Sequence, residues 1–190
     1  AYVYGERTLA TSPIVKPDFT FRDTLQAKIR LQLQWLEENR NLGDAARYLE
    51  RILDDVYQQT KDTTKESALV LEELAKRFPL VLVSNFYGNI STVLREFGLD
   101  HLFGDIIESA VVGIRKPDAR IFALGVERLG LKAEDVAVVG DSYDKDILPS
   151  HSIGCHTIWF KGEGWIDEVV KDPVADKVIG SLKEILSLAE

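Results

Sequence analysis

Three aspartates fall within six residues just after a short apolar run: Asp141, Asp144 and Asp146 in VAVVGDSYDKDI, residues 136–147. Like charges gathered at one strand end repel unless something positive sits among them. Carboxylate oxygens are hard ligands, and Mg2+ is typically held by one or two of them together with phosphate oxygens and water. Asp141 follows Gly140 directly after the run, so its carboxylate is expected in the crevice at the strand end. Asp144 is explained as well by the preference of acids for a helix N-terminus.

Two other stretches carry chemistry that would complement these acids. Ser84 and Asn85 follow the apolar run LVLV (80–83). A hydroxyl at a strand-to-helix turn, beside free backbone N–H groups, can bind an anionic oxygen. Alone, Ser84 or the nearby Asn89 reads equally as a helix cap or a turn residue. Lys116 stands in IRKPD (114–118), at the start of a helical stripe through Phe122, Val126 and Leu129. Proline and aspartate suit a helix start, whereas lysine opposes the dipole there. An anion-facing lysine would look like this, and so would a solvated one.

These residues need elements to position them, and the chain changes texture near residue 79. From about Thr20 to Phe78 it reads as helical, with one stripe through Leu25, Ile29, Leu33 and Leu36. Further stripes run through Ala45, Leu49, Ile52, Leu53 and Val56, then Ala68, Leu71, Leu74, Ala75 and Phe78. Before Thr20, two prolines suggest an extended connection. From Pro79 onward the apolar runs 80–83, 105–109, 136–139, 156–160 and 176–179 are strand-sized. Helices are expected between them at Ile90–Phe97, Asp118–Leu129 and Asp144–Ile153, each followed by glycine. Ser181 and Glu184 form a capping-box pattern before the last helix. Apolar strands alternating with helices imply an α/β fold with a doubly wound parallel sheet, its strands covered on both faces. Ligands of such sheets sit beyond the carboxyl ends of the strands, where the three stretches fall.

Composition excludes several classes. A formal net charge of −8 argues against nonspecific nucleic-acid binding, which rests on Lys/Arg neutralising phosphates. His101, His151 and His156 lack the spacing of a histidine metal site. No apolar stretch approaches the roughly 20 residues that span a membrane, and the first residues lack the pattern of a signal peptide. The single cysteine, Cys155, suits a reducing cytoplasm, so a cytoplasmic location is expected. The many apolar residues of the helical region fit core packing and a homodimer equally well.

In order and spacing, strand–Ser84, Lys116-Pro117-Asp118, and strand–Gly140-Asp141-Ser142 followed by Asp146 resemble the haloacid dehalogenase-like hydrolase superfamily. The resemblance runs from about Leu69 to Phe160 and includes Asp146-Ile147 and Ser152-Ile153-Gly154 before HTIWF. It implies a Rossmann-like core beside a helical cap subdomain, and in most members a Mg2+-dependent phosphatase working through a phospho-aspartate. Carried over by residue, the catalytic pair would be Ser84, bonding the phosphoryl group, and Lys116, neutralising its oxygens. Asn85 would bind substrate beside Ser84. Asp141 would help hold Mg2+, and Asp146 would support the metal or orient Lys116. Lys145 departs from the usual polar residue at its position and is expected to point outward. Tyr87 and Trp165 could wall the site, or simply pack.

The larger departure is the nucleophile. The family's first motif is an apolar strand ending in DxDG[ST], and none precedes Ser84. Residues 14–20 place a proline where that motif has none, and Asp54-Asp55 lies on a helical stripe. Residues 1–66 are therefore expected to be the later part of the cap, and 67–190 the core. The missing strand, loop and first cap helix would need about 30–50 residues upstream, from ordinary element lengths. The absence of any methionine fits a fragment. The expectation is a phosphatase of a small phosphorylated metabolite in the intact protein, inactive as this chain alone. The alternatives are a nucleophile-less binding protein, or a dehalogenase that needs no Mg2+.

Overall fold

The computed structural model describes residues 1–41, 43–162, 170 and 173–188. In chain order it contains α1 (Tyr2–Thr11), α2 (Phe21–Arg40), α3 (Leu49–Ala75), β1 (Val81–Ser84) and α4 (Ile90–Glu96). There follow β2 (Asp105–Glu108), α5 (Ser109–Val112), α6 (Arg120–Leu129) and β3 (Ala137–Gly140). The remainder are α7 (Leu148–Ser152), β4 (His156–Phe160), β5 (Lys177–Ile179) and α8 (Glu184–Leu188). Two compact units result: Ala1–Ala68 with Phe86–His101, and Leu69–Asn85 with Leu102–Glu190.

The first unit is helical. Thr20 starts α2 by a reciprocal cap: its hydroxyl accepts from the Asp23 N–H while the Asp23 carboxylate accepts from the Thr20 N–H. The stripe of α2 buries Ile29 and Leu33 against Ala45, Leu49 and Leu53. The helix α1 has no strong stripe to announce it. It is admitted by Gly5, where a Cβ would lie 2.9 Å from Gln32 Cγ of α2. The two stripes expected on either side of residue 60 lie, from Leu49 to Ala75, on one 27-residue helix, α3, with Ala45 in a 3-10 turn before it and Phe78 beyond its end. The polar stretch TKDTTKE between them contains neither glycine nor proline, so nothing interrupts the hydrogen-bond ladder.

Residues 86–101 join this helical unit, although the sequence pattern assigns them to the core. The reason is a set of specific contacts. The Asn89 amide donates to Phe19 O at 2.9 Å and Thr24 Oγ1 at 2.8 Å. Asn89 is thus committed to these groups and makes no side-chain cap on α4. Glu96 accepts from the Phe21 N–H and the Tyr57 hydroxyl, and the Phe21, Tyr57 and Phe97 rings pack with centroids 5.5–6.4 Å apart. Aromatic pairs of this kind contribute about 0.5–1.5 kcal/mol each beyond the area they bury.

The second unit is α/β. The strands pair in parallel, but in two ladders rather than one: β1 with β2, and β3–β4–β5. Helix α6 buries Ile121 and Phe122 against Ile107, Val81 and Val83. A second cluster joins Val70 and Leu74 at the end of α3 to Ile179 and Ile185. The strands β1 and β3 depart from the expectation of full cover. All four residues of β1 are only half-buried, and Val139 of β3 is 41 % exposed. Among the described residues no ladder joins β1 to β3. The turn after β3 is also unlike the expected single helix. Tyr143–Ile147 form a π-helical turn leading into α7, and Pro149 lacks the N–H that would bond to the fourth carbonyl back. No helix among the described residues is long and apolar enough to cross a membrane.

Candidate active site

Three segments of the second unit converge at the strand ends. The first is the end of β1. Ser84 closes the strand opposite Glu108, and its hydroxyl makes no hydrogen bond among the described residues. A polar donor at a strand end with no internal partner is available to a ligand. The adjacent Asn85 is fully committed in a different direction. Its Nδ2 donates to Lys116 O at 3.1 Å, and its Oδ1 accepts from the Lys116 N–H at 2.9 Å. The amide thus grips the lysine main chain from both sides.

The second segment is Lys116 itself. The peptide bond to Pro117 is cis. The Lys116 ammonium donates to Asp146 Oδ1 at 2.6 Å, with side-chain exposures of 16 % and 6 %. The ammonium also lies 5.4 Å from the centre of the Phe122 ring. A charge this far from water needs such partners. The lysine is therefore held at three places: main chain by Asn85, ammonium by Asp146, and ring face by Phe122. The neighbouring Asp118 is exposed and engages Arg120, whose guanidinium and N–H lower its pKa. It acts as the entry to α6, which begins at Arg120 rather than at Asp118.

The third segment follows β3. Asp146 Oδ2 accepts from the Ser142 N–H at 3.1 Å, and the Ser150 hydroxyl donates to Asp146 O. Both oxygens of the Asp146 carboxylate are thus engaged, one by a cation and one by a backbone amide. Gly140 makes this possible, because a Cβ there would fall 2.3 Å from Asp146 Cβ. Asp141 differs: its side chain is exposed and has no partner among the described residues, while its carbonyl accepts from Trp159 Nε1 at 3.0 Å. Asp144 and Lys145 are exposed. Among the described residues no three His, Cys, Asp or Glu side chains form a metal-holding group.

Of the residues singled out in the sequence, Asn85, Lys116 and Asp146 form one bonded chain, and Ser84 and Asp141 flank it in sequence at the two strand ends. Sequence reasoning missed that Asn85 serves the lysine main chain, and that Gly140 is a steric requirement of Asp146. The GD pair was visible, but a glycine before an acid has many explanations. Tyr87 lies in the helical unit, where its hydroxyl donates to Glu6. Trp165 lies outside the described residues.

A parallel α/β unit with a lysine–carboxylate pair and a free serine hydroxyl at its strand ends has the groups of a hydrolase that handles anionic substrates. Comparison with known proteins gives the family: a sequence profile of haloacid dehalogenase-like hydrolases matches residues 9–154, and the chain belongs to that family. It is 35 % identical over 97 residues to the glyceraldehyde 3-phosphate phosphatase of Methanocaldococcus jannaschii, covering 51 % of this chain and 42 % of that protein. It is 30 % identical over 142 residues to haloacid dehalogenase-like hydrolase domain-containing protein 3 of Mus musculus, covering 71 % of this chain and 57 % of the relative. The chain therefore spans about half the length of these relatives. A HAD-family hydrolase of Bacillus subtilis, solved bound to magnesium, has the same fold, with a TM-score of 0.59 at 20 % identity over 98 % of this chain and 90 % of that one.

Proposed function

We propose that the intact protein is a Mg2+-dependent phosphatase of a small phosphorylated metabolite, acting through a phospho-aspartate whose nucleophile lies outside these 190 residues. The observation that carries this reading is the immobilised Lys116 ammonium, bonded to Asp146 at 2.6 Å beside the end of β1. Phosphoryl transfer needs fixed positive charge and donors more than new covalent chemistry from the surroundings. A cation already held in place costs no reorganisation when charge develops on phosphoryl oxygens.

The roles follow from the bonds. Lys116 neutralises the oxygens of the nucleophile and the phosphoryl group. Asp146 fixes the direction of the ammonium, and Asn85 fixes the main chain that carries it. In this reading Asn85 is a positioning residue more than a substrate ligand. Ser84 donates its free hydroxyl to a phosphoryl oxygen. Asp141, a hard carboxylate without a side-chain partner among the described residues, fits Mg2+ as one ligand, with phosphate oxygens and water supplying others. Asp146 fits that role less well, because Lys116 and Ser142 occupy its two oxygens. When bound, the ion would neutralise phosphoryl oxygens and orient them. Residues 1–66 are read as the later part of a cap subdomain, and residues 67–190 as the core. The named activity of the archaeal relative, on a three-carbon phosphate, supports a small substrate.

The test is phosphate release by the intact protein from a panel of small phosphomonoesters and an aryl phosphate, with Mg2+ and with EDTA. Release that EDTA abolishes is expected, as is no turnover by the 190-residue chain alone. Halide release from a 2-haloacid that EDTA leaves unchanged, with no phosphate release, would replace this reading by a dehalogenase.

A further inference from the structure

We infer that Trp159 is the positioning residue of the metal ligand Asp141: its indole N–H pins the Asp141 carbonyl and, with Asp146, locks the peptide group beside that ligand. The inference rests on the Mg2+ reading of Asp141 and adds what sets the affinity of that site. Trp159 lies on β4, where it is the ladder partner of Gly140 on β3. It is 4 % exposed, and a buried indole N–H needs an acceptor. The acceptor it takes, at 3.0 Å, is the carbonyl of Asp141.

The other polar atom of the same peptide group is held as well. The Ser142 N–H donates to Asp146 Oδ2 at 3.1 Å. The bond is trans, so its oxygen and its hydrogen point in opposite directions. The peptide plane is therefore gripped from two sides, by an indole of β4 on one and a carboxylate of the turn on the other. Turning the plane breaks both bonds. Rotation about the Asp141 Cα–C bond is one of only two soft backbone dihedrals at that residue. Fixing it ties the Cα–Cβ bond of Asp141, and the carboxylate it carries, to the end of the sheet.

The indole is itself immobilised. Its ring packs against that of Tyr143, with centroids 5.0 Å apart and planes at 56°, and Ile147 completes the buried cluster. The Tyr143 hydroxyl in turn accepts from the Val174 N–H at 2.9 Å. The donor cannot swing away from the Asp141 carbonyl without unpacking this cluster, and close-packed interiors resist that. Lys116 sits on the other oxygen of Asp146, Oδ1. Trp159 thus acts on the metal ligand without touching the lysine, which separates its effect from that of Asn85. Hydrogen-bond partners that orient a metal ligand are worth about 10–100-fold in metal affinity.

The test reads metal binding without turnover. Mn2+, a probe of oxygen-ligand sites of the Mg2+ kind, is titrated into the intact protein and its free fraction is read by electron paramagnetic resonance. The temperature is one at which the proteins compared are folded by circular dichroism. Trp159→Phe keeps a ring beside Tyr143 and removes the donor, and it is expected to weaken Mn2+ binding about 10–100-fold. Benzothienylalanine in place of Trp159 has sulfur where the indole has its N–H. It removes the donor at nearly constant volume and is expected to give the same loss, whether or not the phenylalanine variant folds. Tyr143→Phe, which loses only the bond to Val174, is expected to bind Mn2+ within about twofold of wild type. Wild-type binding that either Trp159 replacement leaves within about twofold overturns the inference and leaves the Mg2+ reading standing. An equal loss in Tyr143→Phe makes packing rather than the donor the cause, and overturns it too. A wild-type protein that binds no Mn2+ overturns the Mg2+ reading and the inference with it.

Discussion

Asn85 and Lys116 are joined by two hydrogen bonds of opposite sense, side-chain amide to main-chain carbonyl at 3.1 Å and main-chain N–H to side-chain oxygen at 2.9 Å. The residue after one strand thereby sets the backbone position of a lysine 31 residues away. The ammonium then reaches Asp146 across another 30 residues. Three segments distant in sequence are thus tied into one rigid unit, with the positive charge at its centre.

Asn85→Ala removes the grip on the main chain but leaves the ammonium its partner. Misplacement of a catalytic group by about 1 Å can cost about a hundredfold in rate. The expected result in the intact protein is a fall in kcat of that order with KM changed less than about threefold, because the residue acts through Lys116. Asn85→Asp keeps the acceptor for the Lys116 N–H but sets a carboxylate against the Lys116 carbonyl, so it should not restore the rate. Steady-state kinetics with an aryl phosphate gives the comparison; an Asn85→Ala enzyme whose loss lies wholly in KM would assign the residue to substrate instead.

Gly140→Ala should be disruptive for a steric reason. The new methyl would lie 2.3 Å from Asp146 Cβ and 2.6 Å from Cγ, and that carboxylate cannot withdraw without releasing Lys116. Overpacking of this kind costs about 1–3 kcal/mol. Urea unfolding of the chain and its variant measures the loss. Equal midpoints would mean that the turn at Gly140 yields more freely than the contacts allow.

Asp176 gives a pH signature away from the site. Its carboxylate accepts from the Thr157 N–H at 2.7 Å and lies 3.6 Å from His156 Nδ1. The Thr157 backbone bond, and then the neighbouring His156, hold its pKa below the usual value. A carboxylate whose pKa is depressed on folding stabilises the folded state above its unfolded pKa of about 3.9 and loses that contribution as pH falls through the folded value. The stability difference between wild type and Asp176→Asn should therefore persist down to about pH 4 and shrink below it. Denaturant titrations at pH 6, 4 and 3 provide the check, and a difference that grows on acidification would reverse the sign.

The strands were legible because their apolar runs are short and bounded by turn residues; β4 coincides with HTIWF, and each of the others lies within a residue or two of its expected run. The helix α1 was not, because its presence depends on close approach at Gly5, a tertiary contact. The break of the sheet into two ladders was also illegible, since no pattern in β1 or β3 tells which neighbour each strand has. At the site, Lys116 and Asp146 were recognisable by type and order. The grip of Asn85 on the lysine main chain was not, because an asparagine after a strand carries no sign of which backbone it will bond. The residues 86–101 went to the helical unit through Asn89, Glu96 and Phe97, whose partners lie up to 76 residues away.

The central claim is that the fixed ammonium of Lys116 serves phosphoryl transfer. Its direct measurement is steady-state phosphate release from an aryl phosphate and Mg2+ by the intact protein, wild type beside Lys116→Gln. Removing one preorganised donor to a developing anion costs about 10²–10³ in kcat. The account predicts wild-type turnover and a Lys116→Gln enzyme slower by at least that factor while still folded by circular dichroism. A folded Lys116→Gln enzyme within about twofold of wild type would contradict it.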